Sequence, residues 1–331
     1  MPEMSIAEAL RQAIREEMAR DPRVFCIGED IGVEGGFGGA FTVTLGLSQE
    51  FGHDRILDTP ISEAGLAGVA IGAAMAGLRP IADVQYGDFL FCAMDQIANQ
   101  AAKMTYMSGG TVRVPMVMRV PVGATRRGAQ HAQSLEAFFT HIPGLKVVAP
   151  STAYDAKGLL KSAVRDDNPV LVFEHKLLYG SKGPRSEKGA LSPIGEVPDE
   201  DYLVPIGQGI VRRQGRDVTI VGKLLTMYRA LEAAEELAEK GIEAEVIDPR
   251  SLVPLDKELI LESVHKTGRL VIVEEDNLTG GWAADISAIV ADEAFFWLDA
   301  PIKRVSAPDT PAPFAPVMEE FYVPSVQQVV E

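Results

Sequence analysis

At 331 residues the chain exceeds what one hydrophobic core usually supports, and its 47% apolar and 24% charged residues are those of a soluble globular protein with two domains. A net charge of −16 excludes a nucleic-acid surface, which needs a surplus of Lys and Arg on one face. No apolar run approaches the ~20 residues that cross a bilayer, which excludes a membrane-spanning helix.

The chain opens with a helix signal: Ser5 and Glu8 form an S-x-x-E capping box, and Ile6, Leu10, Ala13, Ile14 and Met18 recur at helical spacing. This opening lacks a basic region followed by an apolar core, so no secretory signal is expected and the protein is read as cytoplasmic. A strand is expected at 24–28, then a Gly-rich loop at 32–41, a helix over 62–77, a strand at 80–86, a helix around 92–107 and a strand at 115–120. The alternation continues with a strand near 145–149, a helix over 153–165 and the run PVLVFE at 169–174. Cys26 and Cys92 lie in apolar stretches without metal spacing and read as two buried free thiols. Residues 181–200, rich in Gly, Pro and Ser, read as a linker. A second set follows: strands at 217–222, 242–248, 269–275 and 301–307, with helices at 226–240, near 256–266 and after Gly281. Continuously apolar strands separated by helices imply parallel sheets covered on both faces. The fold expected is α/β, two doubly wound domains over 1–180 and 201–331.

The segment 58–110 carries the chemistry. Glu63 opens a helix built almost wholly of Ala and Gly. Interior Gly costs roughly 1 kcal/mol relative to Ala, so several together suggest close approach of another backbone. A carboxylate at the mouth of such a helix is either a poorly solvated proton carrier or a dipole-stabilised acid of the first turn. His131 follows the aperiodic, glycine-bearing stretch PVGATRRGAQ (121–130), where a proton-transfer role is open to a histidine. Arg126 and Arg127 fit either a substrate carboxylate or a subunit contact.

GEDIG (28–32), FGHDRILDTPISEAG (51–65), GLRPIADVQYGDF (77–89), DQIANQAAKMTYMSGG (95–110), GAQHAQSLEAFF (128–139), IEAEVIDPRSLVPLD (242–256) and APDTPAPF (307–314) occur here in one order. Together they resemble the beta subunits of thiamine-diphosphate-dependent 2-oxo acid dehydrogenases, the pyruvate, branched-chain and acetoin enzymes. The resemblance implies a transketolase-like pyrimidine-binding domain over 1–180 and a transketolase C-terminal-like domain over 201–331. It implies that Glu63 hydrogen-bonds the aminopyrimidine ring and shares a proton with it. It places Phe89 against the pyrimidine face, with Gln85 and the backbone of Ile61 lining the pocket. It gives His131 a part in acyl transfer to a lipoyl group. It matches Met116, Ala163, Asp166 and Asn168 to a structural potassium site, although a plain helix stop before Pro169 explains the same residues. The sequence departs from the family at Ala132, where relatives mostly read Ser.

The family needs magnesium to hold the diphosphate, usually through G-D-G, and here the closest string is Gly87-Asp88-Phe89. The resemblance therefore implies an alpha subunit that supplies magnesium and diphosphate contacts in an α2β2 tetramer, and a lipoyl acyltransferase core. Gly36-Phe37-Gly38 lacks the rest of G-x-G-x-x-G, which argues against a nicotinamide site. The reaction implied is oxidative decarboxylation of a 2-oxo acid, pyruvate first. The alternatives are acetoin or branched-chain substrates, half of a transketolase-like carbon–carbon ligase, or a non-catalytic assembly subunit.

Overall fold

The computed structural model describes residues 2–181, 187 and 189–331. The chain forms two compact units, Met1–Val122 with Phe139–Ile206, and Gly123–Phe138 with Gly207–Glu331.

The first unit contains β1 (Glu3–Ser5), β2 (Val24–Gly28), β3 (Ile56–Asp58), β4 (Arg79–Asp83), β5 (Val117–Val122), β6 (Lys146–Val148), β7 (Val170–His175) and β8 (Ile194–Glu196). Six of these form a sheet in the order β6-β7-β5-β4-β2-β3, with every pairing parallel. Val24–Gly28, Val117–Val122 and Val170–His175 are buried on both faces, as their mainly apolar runs require. The capping box forms as expected: the Ser5 hydroxyl accepts the Glu8 N–H at 3.3 Å and the Glu8 carboxylate accepts the Ser5 N–H at 2.9 Å, starting the helix Ile6–Arg20. That helix packs on Ala153–Arg165, whose buried Lys157 and Lys161 reach Glu16 at 2.8 and 2.5 Å.

The second unit contains β9 (Ile210–Arg213), β10 (Val218–Gly222), β11 (Ala244–Asp248), β12 (Ser251–Val253), β13 (Leu270–Asn277) and β14 (Lys303–Ala307). Its sheet runs β14-β13-β10-β11-β9; β10, β11, β13 and β14 are parallel and β9 is antiparallel to β11. The helix Leu225–Glu239 covers one face through Ala230, Ala233, Ala234 and Leu237.

Four expectations change. The single helix around 92–107 is instead a 3₁₀ turn (Gly87–Ala93), a π turn (Gln96–Ala101) and a short α-helix (Ala102–Met107). Cys92 is exposed beside the 43%-exposed Phe91, so only Cys26 is a buried thiol, pushed by burial up to about 12. The second sheet is mixed, not wholly parallel, because the edge strand β9 pairs antiparallel. Of the linker stretch 181–200, residues 182–186 and 188 lie outside the described residues; Ile194–Glu196 pairs antiparallel with Glu3–Ser5, joining the first unit as a strand.

Candidate active site

In a doubly wound sheet the ligand crevice lies at the carboxyl ends of the strands, where strand order reverses. In the first sheet that point is between β2 and β4, since the chain passes from β2 outward to β3 and then back to the other side. Gly28 ends β2 there because a Cβ would stand 2.9 Å from the Asp83 carbonyl of β4. The next residue, Glu29, meets Gln85: the Gln85 amide donates to the Glu29 carbonyl at 2.5 Å, and its oxygen accepts the Ala40 N–H at 3.0 Å. Gln85 is thus fixed at both ends.

Glu63 is the first residue of the helix Glu63–Met75, capped by the Ser62 hydroxyl accepting the Gly65 N–H at 3.3 Å. It is half-buried. Its place is reported by Glu29, whose carboxyl is raised above the ordinary range, first by burial and then by the negative charges of Glu63, Asp30 and Asp83. Two acids therefore face this crevice, and the like charge of Glu63 favours a proton on Glu29. Upstream, the Thr59 N–H donates to the Gly28 carbonyl at 2.9 Å, while the Thr59 hydroxyl oxygen is buried with no hydrogen-bond partner among the described residues. Ile61 is 82% exposed. Phe89 is half-buried, edge-on to Tyr86 with ring centroids 5.6 Å apart. Ile61, Glu63, Gln85 and Phe89 thus all belong to segments that leave this end of the first unit's sheet.

The glycines of the Glu63 helix behave otherwise than expected. Its buried face is Leu66, Ala67, Ala70, Ile71 and Ala74, and a Cβ on Gly72 would meet nothing within 4 Å. Among the described residues nothing stands close to the Gly72 side, which is exposed with Val69 and Met75.

Beneath the crevice lies a buried charge cluster that the sequence did not announce. Arg119 of β5 is 1% exposed and holds Glu174 of β7 through two bonds of 3.0 and 2.6 Å, and also pairs with Asp83. The Tyr179 hydroxyl donates to Glu174 at 2.6 Å. Burial raises the Asp83 carboxyl despite Arg119; burial opposes the Arg119 charge too, but Asp83 and Glu174 hold its proton more firmly than usual. Tyr179 stacks on Phe41 at 4.7 Å, and Phe41 meets Tyr86 edge-on at 5.9 Å. The only trace in the sequence is an arginine interrupting VMRVPV, a run otherwise fit for a fully buried strand.

His131 belongs to the second unit, on a segment without helix or strand until Glu136. The imidazole is half-buried; the His131 N–H donates to the Gly128 carbonyl at 3.2 Å. Arg126 takes φ 60° and its N–H donates to Glu319 at 2.5 Å, so this arginine's backbone is tied down, while the Arg127 side chain is exposed. Ala132 is buried in an apolar cluster with Ala124, Ala307, Ala312 and Tyr322. Its missing hydroxyl is therefore a packing feature: an OH there would need a partner inside an apolar cluster.

The four residues matched to potassium are already engaged. The Met116 carbonyl accepts the Val170 N–H at 2.9 Å and the Ala163 carbonyl accepts the Asp166 N–H at 3.2 Å. The Asp166 carboxylate pairs with Lys146 and accepts the Asn168 amide at 2.8 Å; burial pushes its carboxyl up, but Lys146 and Asn168 bring it below the ordinary range. The Arg79 guanidinium donates to the Val164 and Asp166 carbonyls at 2.9 Å each. Two protein cations, Arg79 and Lys146, therefore meet this helix end.

These residues fit an aminopyrimidine ring: an acid at a helix start, a fixed amide, a half-buried aromatic ring and an orphaned hydroxyl lie at one end of the sheet. A cavity of about 530 Å³ in the second unit, lined by Val218, Ile220, Leu237, Val271 and Val305, lies elsewhere and includes none of these residues.

Residues 2–182 match the transketolase pyrimidine-binding domain and residues 207–329 the transketolase C-terminal domain. The chain is 48% identical to the 2-oxoisovalerate dehydrogenase subunit beta of Bacillus subtilis, covering 99% of this chain and 97% of that protein. It is 50% identical to the acetoin:2,6-dichlorophenolindophenol oxidoreductase subunit beta of Cupriavidus necator, covering 98% and 95%. With the mitochondrial pyruvate dehydrogenase E1 component subunit beta-1 of Arabidopsis thaliana the identity is 46%, covering 99% and 88%. Among solved structures, a split-gene transketolase described as an inactive beta4 tetramer superposes with a TM-score of 0.78 at 26% identity, over 99% of this chain and 96% of that one. Sheet order, strand-end site and end-to-end likeness agree: the chain belongs to the transketolase-like, thiamine-diphosphate-dependent family of 2-oxo acid dehydrogenase beta subunits.

Proposed function

We propose that this beta subunit serves oxidative decarboxylation of pyruvate in the cytoplasm, with the acyl group passed to lipoyl on an acyltransferase core, and that Glu63 and His131 are its catalytic residues. The observation that carries the reading is the shared strand-end position of Glu29, Glu63, Gln85 and Phe89 at the reversal point of the first sheet. When bound, thiamine diphosphate supplies a carbon nucleophile and an electron sink. Glu63 holds and returns a proton at the pyrimidine ring. Phe89 packs against the ring, and Gln85 and the Ile61 backbone fix the ring's edge. His131 holds a proton for the lipoyl sulfur during acyl transfer. In this reading an alpha subunit grips the diphosphate through magnesium in an α2β2 tetramer; the lack of G-D-G in this sequence supports that division.

Acetoin cleavage is the second reading, favoured by the 50% identity to the Cupriavidus necator subunit. Co-expression with a G-D-G chain and dye-linked turnover of pyruvate, branched-chain 2-oxo acids and acetoin tests both. Pyruvate should give the highest kcat/KM. Preference for acetoin would establish the second reading, and no turnover of any of them would refute both.

A further inference from the structure

The second sheet has its own reversal point, between β10 and β13, where an α/β sheet would ordinarily take a ligand. Here protein fills it. β10 ends at Gly222, where a Cβ would stand 2.8 Å from the Thr226 carbonyl, and the chain turns sharply through Leu224 at φ 53°, ψ −125° into the helix Leu225–Glu239. This strained elbow pushes Lys223 into the crevice, 2% exposed. Its ammonium lies 2.8 Å from Glu136 and 2.8 Å from Asp276, and 5.9 Å from the centroid of the Trp282 ring.

Glu136 closes the segment that bears His131. Its other end is held next door: Glu275, adjacent to Asp276 on β13, accepts the Ala124 N–H at 2.7 Å. Consecutive acids of one strand tip therefore fix positions 124 and, through Lys223, 136. Along the same segment the Gly123 N–H donates to the Gln133 carbonyl at 3.3 Å, Ala132 is buried, and a Cβ on Gly128 would stand 3.2 Å from the Phe314 ring. Glu274 also faces the cluster, its carboxyl pushed up to about 8 by burial and then by Asp276.

We propose that Lys223 is a positioning residue for His131, its buried ammonium joining Glu136 to Asp276 and so setting where the imidazole stands. The inference rests on the reading of His131 as the acyl-transfer residue. A buried ion triad is a poor source of stability compared with apolar packing, but it fixes geometry, because every alternative leaves a charge unpaired. Misplacement of a catalytic group by about 1 Å costs on the order of 100-fold in rate.

The test is a double-mutant cycle in the assembled α2β2 enzyme, reading kcat and KM for reductive acylation of a lipoylated domain beside turnover with 2,6-dichlorophenolindophenol. Lys223→Met should lower the lipoyl kcat about 100-fold, far more than the dye-linked rate, with KM for the lipoylated domain little changed. In a His131→Ala background the same change should lower it less than about two-fold, because no imidazole remains to misplace. Should Lys223→Met fail to assemble, Glu136→Gln keeps the side chain's shape, removes the ion pair and enters the same cycle. Equal losses in both assays, or losses that simply add to those of His131→Ala, would overturn the inference while leaving His131's role intact. A fully active His131→Ala enzyme would instead sink the reading of His131 itself, and this inference with it.

Discussion

Glu63→Gln separates chemistry from architecture. The change keeps side-chain length at the first position of the Glu63–Met75 helix and leaves the Ser62 cap on the Gly65 N–H in place. What the fold loses is one half-buried negative charge near a helix N-terminus, worth about 0.3–1 kcal/mol. It also relieves a like-charge contact with Glu29, which acts in the opposite direction. Net stability should therefore move by less than about 1 kcal/mol, or roughly 2–4 °C in Tm for a unit of this size. Activity should respond very differently, because a positioned proton carrier contributes about 10²–10⁴-fold. The assay is dye-linked turnover of the tetramer with saturating thiamine diphosphate and magnesium, beside thermal unfolding of the same preparation. A rate within three-fold of the parent enzyme would refute the proton-carrier assignment; a Tm loss beyond about 10 °C would show that Glu63 is mainly structural.

Other substitutions probe the frame around the site. Arg119→Met leaves Asp83 and Glu174 buried without their cation, so a loss of about 3–5 kcal/mol is expected in urea unfolding, and a variant as stable as the parent would contradict the buried pairing. Gly158→Ala gains roughly 1 kcal/mol of helix propensity, but its Cβ would lie 2.5 Å from Val204 and 2.9 Å from Tyr202; overpacking of about 1–3 kcal/mol should win and lower Tm. Glu274 has its carboxyl raised to about 8, so its contribution to stability is fully present below pH ~4.5 and lost as pH rises through about 8. Glu274→Gln should flatten the fall in stability over that window, and an unchanged pH slope in denaturant titrations would contradict the raised value.

How much of this was legible in the sequence follows from the range of the forces involved. The helix Ala153–Arg165 is capped by Thr152 and carries a clear apolar period, so short-range signals suffice to place it. The Ser5 capping box was equally local. By contrast β9 reads IVRR, short and half charged, and only its antiparallel pairing at the sheet edge makes it a strand. The stretch 92–107 has helical composition throughout, but Gly87 abuts Val122, where a Cβ would stand 2.8 Å away, and the chain tightens into 3₁₀ geometry and then widens into a π turn before the α-helix. Cys92 was misjudged because apolar neighbours in sequence need not be neighbours in the core.

At the candidate site, Glu63, Gln85 and Phe89 are singled out by long motifs rather than by any pattern that physics alone would pick. The ion clusters could not be read in this way. Arg119 meets partners 36 and 55 residues away, and Lys223 meets partners 87 and 53 residues away. Each lies in an apolar strand context where a lone cation looks like an interruption, and only the sheet order explains what it pairs with. The helix end matched to potassium is similar: Arg79 and Lys146, distant in sequence, both reach it.

The decisive measurement is calorimetric titration of thiamine diphosphate with magnesium into this chain alone, into the G-D-G alpha chain alone, and into the two together. A pocket divided between polypeptides predicts tight binding only to the mixture, weakened by Phe89→Ala on this side of the pocket. Tight binding by this chain alone, or equal affinity of the mixture with and without Phe89, would contradict the account.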